Sequence, residues 1–241
     1  MWTLFLPLLL ALTLSAAEGP PSPVIVELFT SEGCSSCPPA DRLLSVLDEE
    51  QPIPGAHILV LSEHVDYWNR LGWTDPYSAA TFSDRQQRYA SALRSETYTP
   101  QMIVDGRVQF VGADAQRARQ AIEVAARLPK TPIDLQRLED TLQIKIDHAP
   151  AQAADAEVVL AIAESNLQSS VDRGENAGRR LRHTAVVRRL IVLGPLKSGA
   201  PFSTSAGLRL NPAWKRENLR AVVFIQERKT LRILGAASLG L

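Results

Sequence analysis

The chain has 241 residues, 45% of them hydrophobic, with 26 Lys/Arg balanced by 26 Asp/Glu. That is enough apolar material for a core, and the length suits one large or two ordinary domains. The charge is unevenly spread: residues 1–164 hold 12 basic and 22 acidic side chains, and residues 165–241 hold 14 and 4, which suggests two modules with different surfaces.

Met1 to Ala17 reads as an export signal, with an apolar run from Leu4 to Leu14 and the small residues Ser15, Ala16 and Ala17 for cleavage. A bilayer span needs about 20 apolar residues, so a membrane anchor is not expected there or elsewhere. The mature protein is therefore expected to be exported, periplasmic or secreted, into a compartment where disulfides form. Residues 18–23, with three prolines, read as a linker.

Val24 to Phe29 is an apolar run expected to form a buried strand. A Ser/Gly turn follows, then the only two cysteines, Cys34 and Cys37, and then Pro38 and Pro39 at the head of an amphipathic helix in which Leu43, Leu44 and Leu47 share a face. A thiol at a helix N-terminus has its pKa lowered by the dipole. Closing so short a loop stabilises by only about 2 kcal/mol in the chain-entropy model, against roughly 4.7 for a hundred-residue loop. The spacing therefore favours a redox pair over a structural staple. The residue after the second cysteine is Pro38, so the haem-attachment signature is absent.

The Gln51–Gly55 loop ends the helix, and His57 to Leu61 is a second strand, expected parallel to the first. His64 to Pro76 reads as a structured loop leaving the sheet at the cysteine end, where open α/β sheets place their ligands. Its Tyr67, Trp68 and Trp73 offer a platform for a peptide, or else fill the loop's own core. A second helix is expected from Ser83, as its cap, to Leu93. Thr99-Pro100 precedes a strand at Met102 to Val104, Asp105-Gly106 makes a mirror-type hairpin turn, and a helix capped by Asp114 follows. Residues 129–132 look like an interdomain linker. Beyond them, short alternating runs at 142–146, 157–163, 190–193, 219–226 and 231–237 predict an antiparallel β-rich, sandwich-like domain.

This order of strand, Cys-x-x-Cys, helix, strand, helix, Thr-Pro, hairpin and helix resembles the thioredoxin fold. More narrowly, Glu27 to Asp41, His64 to Pro76, Tyr98 to Gln101, and Arg173 to Arg179 with His183 resemble an exported bacterial family of thioredoxin-like proteins catalogued as domain of unknown function 1223. The resemblance implies an α/β thioredoxin-like N-terminal domain over 24–128, to be followed by the β-rich domain over 133–241. It also assigns Pro100 a cis bond beside the cysteines, with Thr99 at the substrate edge. The sequence departs from thioredoxins in its Ser35-Ser36 pair, in Gly33 where a Trp is usual, and in its acid. Thioredoxins bury a proton acceptor six residues before the first cysteine; here that residue is Leu28. Glu27, seven before, takes the role only if a bulge intervenes.

Three readings stay open at this point. The leading one is thiol–disulfide exchange on a protein or peptide substrate with a further redox partner, without a cofactor. Cys34, nearest the helix start and expected to be exposed, attacks, and Cys37, a turn further in, resolves. The second is a copper or zinc carrier using Cys34, Cys37 and His64, the third a non-catalytic interaction module. Arg179, Arg180, Arg182, Arg188 and Arg189 form a basic set suited to an acidic partner or to local salt bridges; no nucleic-acid motif accompanies them.

Overall fold

The computed structural model describes residues 19–151 and 155–241; the export-signal region lies outside them. β1 (Ser22–Thr30) takes in the last two residues expected in the linker, and it pairs in parallel with β2 (Ala56–His64) from Ser22↔Ala56 to Thr30↔His64 without a break. Between them runs α1 (Pro38–Glu50), with both prolines in its first turn, where no N–H is needed. Ala40, Leu44 and Leu47 recur at helical spacing and are buried against the sheet. Gln51 ends the helix in a left-handed conformation, and its side-chain amide bonds the last turn and both backbone groups of Ile58.

α2 (Ala80–Leu93) starts three residues earlier than expected. Ser83 is not its cap: the Ser83 hydroxyl donates to Asp66 at 2.5 Å and accepts from the Asp66 N–H, tying the preceding loop to the helix. β3 (Gln101–Val104) lies antiparallel to β1, and β4 (Val108–Val111) returns beside it through a turn in which Asp105 and Gly106 both have positive φ. Asp114 caps α3 (Ala115–Ala126) by accepting from the Arg117 N–H.

The second half adds β5 (Asp134–Leu138), β6 (Thr141–Ile146), β7 (Ala156–Glu164), β8 (Leu167–Ser170), β9 (Arg180–His183), β10 (Val186–Leu196), β11 (Phe202–Gly207), β12 (Leu219–Glu227) and β13 (Ile233–Gly240). One eight-stranded sheet runs through both halves in the order β13-β12-β7-β10-β2-β1-β3-β4. The junction is the parallel contact of Val186 with Ser62, where the Ser62 N–H also donates to the Ala185 carbonyl at 2.9 Å. Residues 129–132 are packed rather than free: Thr131 N–H donates to the Leu234 carbonyl, and Lys130 pairs with buried Asp105.

Each half of the sheet is covered on both faces, which is why its strands read as near-continuous apolar runs. Leu142, Ile144 and Ile146 of the three-stranded sheet β11-β6-β5 pack with Val158, Leu160, Ile162, Val223 and Ile225. The alternate residues Val159, Ala161, Val222 and Phe224 join the core built by β1, β2 and the helices. The protein is thus a mixed α/β molecule with a large sheet and three α-helices among the described residues.

Candidate functional site

Cys34 and Cys37 are joined in a disulfide at the C-terminal end of β1. Cys37 is the N-cap of α1 and Cys34 lies in the turn before it, so the expected order along the helix is corrected: Cys37 stands at the helix start. A second correction concerns access. Both cysteines are 0% exposed, while Ser35 and Ser36 between them face solvent. Ser36 Oγ lies 3.4 Å from Cys34 Sγ, the reach of a hydroxyl donating to sulfur.

The cover over Cys34 comes from residues far away in the chain. The loop between β8 and β9 carries Asn176, fully buried, whose amide donates to the carbonyls of Glu32 (2.8 Å) and Cys34 (2.9 Å). Beside it exposed Glu175 accepts from both the N–H (2.9 Å) and the hydroxyl (2.7 Å) of Ser35, bonds that lower its carboxyl pKa. Trp68 closes the other flank. Its Nε1 donates to Thr99 Oγ1 at 2.8 Å and its Cβ lies where a side chain at Gly33 would begin, 3.2 Å from an ideal Cβ there. The Thr99–Pro100 bond is cis. Pro100 lies under the same corner, since a Cβ on Gly112 would meet Leu28, Ala40 and Pro100 together.

Beneath the pair is a buried polar chamber. Strand alternation places Thr30 and His64 on the α1 side of the sheet, and the first turn of α1 adds Asp41. Glu32 holds His183 Nε2 at 3.0 Å with one oxygen and accepts from Trp73 Nε1 at 2.8 Å with the other. Asp75 binds His64 Nδ1 at 2.7 Å and the Glu32 N–H at 2.8 Å. The two imidazoles meet edge to face at 4.9 Å, and Tyr77 sits 5.5 Å from each. Thr30 Oγ1, Asp41 Oδ1, His64 Nε2 and His183 Nδ1 are buried without hydrogen-bond partners. Few such atoms survive in folded proteins without a catalytic, strain or solvent role.

The charges in this chamber pull against burial. Burial raises the Asp41 carboxyl, with His183 and His64 drawing it back. Burial also opposes both charges of the His64–Asp75 pair, but their mutual attraction and hydrogen bond win, raising His64 and lowering Asp75.

Glu27 is not part of this chamber. The unbroken register of β1 leaves no bulge, so Leu28 faces α1 while Glu27 faces α2. There Arg85 Nε donates to Glu27 Oε1 at 2.7 Å, Tyr89 bonds Oε2, and Gln226 bonds both Arg85 and Tyr89. Glu63 shares Arg85 at 3.3 Å, and its burial raises its carboxyl well above the usual range. The proton-acceptor role considered for Glu27 is thereby overturned by strand periodicity: the acids on the cysteine side are Asp41, Glu32 and Asp75.

Tyr67, Trp68 and Trp73 are half-buried and each donates its polar hydrogen inward, Tyr67 to Gln86, so their role in the loop is structural as well as lining. His64 pairs with Asp75. Among the described residues no three or more His, Cys, Asp or Glu side chains are grouped to hold a metal ion, and the Cys34–Cys37–His64 set is not assembled.

A family model described as "Protein of unknown function (DUF1223)" matches residues 25–226. The chain belongs to this family. It is similar to the solved structure of protein AGR_C_4864 from Agrobacterium tumefaciens, at 28% identity and a TM-score of 0.74, over 92% of this chain and 96% of that one. HBP35 of Porphyromonas gingivalis shares the fold at 13% identity, with a TM-score of 0.61 over 93% of this chain and 77% of its own. Comparison with curated proteins gives no match. Within this DUF1223 chain, Glu32, Asp41, Asp75 and Tyr77 are site residues to which sequence reading gave no role. Each has an ordinary sequence context: a Ser/Gly turn, a helix first turn and an Asp-Pro-Tyr loop.

Proposed function

We propose that this DUF1223 protein is an exported, thioredoxin-like thiol–disulfide exchange protein acting on a protein or peptide substrate. The observation that carries the reading is the Cys34–Cys37 disulfide at the head of α1, directly over a buried chamber of acids and imidazoles with unpartnered atoms. The element order β1-α1-β2-α2-β3-β4-α3 supports the thioredoxin-like assignment. Export rests on the Met1–Ala17 sequence alone.

Starting from the disulfide, a substrate thiolate attacks Cys34 Sγ and forms a mixed disulfide, and Cys37 leaves as a thiolate with the bonding electron pair. Cys34 is the sulfur to attack because Ser35, Ser36 and the 174–178 loop, rather than the helix, stand between it and solvent. The helix N-terminus stabilises the Cys37 thiolate. Asp41 lies one turn along, with its N–H on the Cys37 carbonyl at 3.1 Å, and the burial that raises its carboxyl favours it as the group that exchanges a proton with Cys37. A second substrate thiolate then attacks the substrate sulfur of the mixed disulfide and releases Cys34. The protein disulfide is reduced to a dithiol while the substrate dithiol becomes a disulfide; the reverse sequence oxidises the protein.

The test is exchange with a model peptide disulfide, together with titration of the thiols by their ultraviolet absorbance. Exchange that is lost in Cys34→Ser, with a thiol pKa below the free value of about 8.5, is the expected result. A reduced pair that titrates at or above that value and exchanges nothing overturns the reading.

A further inference from the structure

The basic set at 179–189 divides once its contacts are known. Arg179 donates to Asn176 Oδ1 at 3.0 Å. Arg188 lies 3.5 Å from Glu164 and over the rings of Tyr77 and Trp214. Arg189 donates to the carbonyls of Leu208 and Arg209. These three arginines hold the fold together. Arg180 and Arg182 have no such contacts. On β9 they alternate with Leu181 and His183, so both point outward while the other two point in.

α1 packs beside β9 and contributes a third arginine, Arg42. Arg42, Arg180 and Arg182 line one cavity of about 190 Å³, completed by Pro38, Leu181 and Asp41. Among the described residues none of the three guanidiniums takes part in an ion pair or a side-chain hydrogen bond. Asp41, 8% exposed, lines the cavity wall and lies beyond ion-pair distance of all three arginines. Burial raises the Asp41 carboxyl, which weakens its repulsion of an incoming anion.

Three uncompensated guanidiniums fit an anion that accepts paired N–H donors, a chemistry that carboxylate and phosphate share. The volume is below the roughly 300 Å³ at which whole small-molecule sites begin, so the cavity takes a group rather than an entire ligand. Its wall residue Pro38 directly follows Cys37. We propose that this cavity is a carboxylate subsite, which receives an Asp or Glu side chain flanking the reacting cysteine of the peptide substrate. The subsite's place in the reaction rests on the exchange reading above; its affinity for the anion does not.

The experiment uses the oxidised protein and two fluorescent peptides that cannot exchange, having Ser for Cys, flanked by Glu in one and Gln in the other. Anisotropy at low salt is expected to show the Glu peptide binding about tenfold more tightly, a difference of about 1.4 kcal/mol. Arg180→Ala/Arg182→Ala is expected to abolish the preference, and Arg42→Ala to reduce it. Lysine at 180 and 182 restores part of it, because charge returns without the fork. Circular dichroism confirms that each variant is folded. Equal binding of the two peptides by the unsubstituted protein, or a preference that survives in the double variant, overturns the subsite. Displacement of the Glu peptide by inorganic phosphate at concentrations where acetate has no effect also overturns it, by reassigning the cavity to phosphate. A preference for Glu without any disulfide exchange overturns the exchange reading and leaves the subsite standing.

Discussion

At the scale of single residues, the chamber under the cysteines is governed by where charge is tolerated. His64 and Asp75 are both fully buried at the side chain, and each favours the charged form of the other against the cost of burial. The raised imidazole contributes stability that is complete below its unfolded pKa and is lost as pH rises through its folded value. The lowered carboxyl contributes stability that is complete above its unfolded pKa and is lost as pH falls through its folded value. The pair therefore stabilises most between about pH 4 and 6.5, the unfolded values of Asp and His. Asp75→Asn is expected to bring the His64 titration down and to remove the loss of stability on the alkaline side. NMR titration of the His64 ring and urea midpoints at pH 5.5 and 9 check this; an unchanged His64 titration contradicts it.

At the scale of elements, access to Cys34 is controlled by the loop between β8 and β9. Asn176 makes two buried hydrogen bonds to backbone carbonyls, each worth about 0.5–1.5 kcal/mol. Asn176→Ala is expected to leave those carbonyls unpaired and to favour the uncovered state by roughly tenfold, for about 1.4 kcal/mol. Reduction of the disulfide by a small phosphine, followed by mass spectrometry, should be faster by a similar factor. Equal rates in the two proteins would mean that the loop does not gate the pair. The strands of this cover, together with β11 of the three-stranded sheet, were also the hardest to read. β8, β9 and β11 have polar or small residues on alternate positions and lie outside the main sheet, so their sequences carry no apolar run. β1, β2, β7 and β12, buried on both faces, were legible for the opposite reason.

At the scale of the whole molecule, the two halves share a sheet and a core. Phe224 of β12 lies against Arg85 of α2, and Gln226 completes the Glu27–Arg85–Tyr89 network. Unfolding is therefore expected to be a single cooperative transition, with near-ultraviolet and far-ultraviolet dichroism superimposing. A fragment ending at residue 132 removes β10 from β2 and Gln226 from Arg85 and Tyr89, and it is expected to show no cooperative transition of its own. Two separate transitions in the full chain would instead show independent domains.

The sequence by itself determined the cysteine pair at a helix head, the positions of the long buried strands and the Asp105-Gly106 and Asp114 turns, because each depends on neighbours within a few residues. It also placed Trp68, Thr99 and Pro100 at the cysteine end, through the order of the elements. The tertiary structure alone decided which acids lie on the cysteine side of the sheet. A period of two puts Glu27 on the wrong side, and the packing of α1 against β2 and β9 brings Asp41 to His64 and His183. The cover of Asn176 and Glu175, more than 130 residues from Cys34 in the chain, and the arginine cavity formed by α1 and β9 are likewise long-range, since no local pattern in a sequence records which distant loop closes over a site.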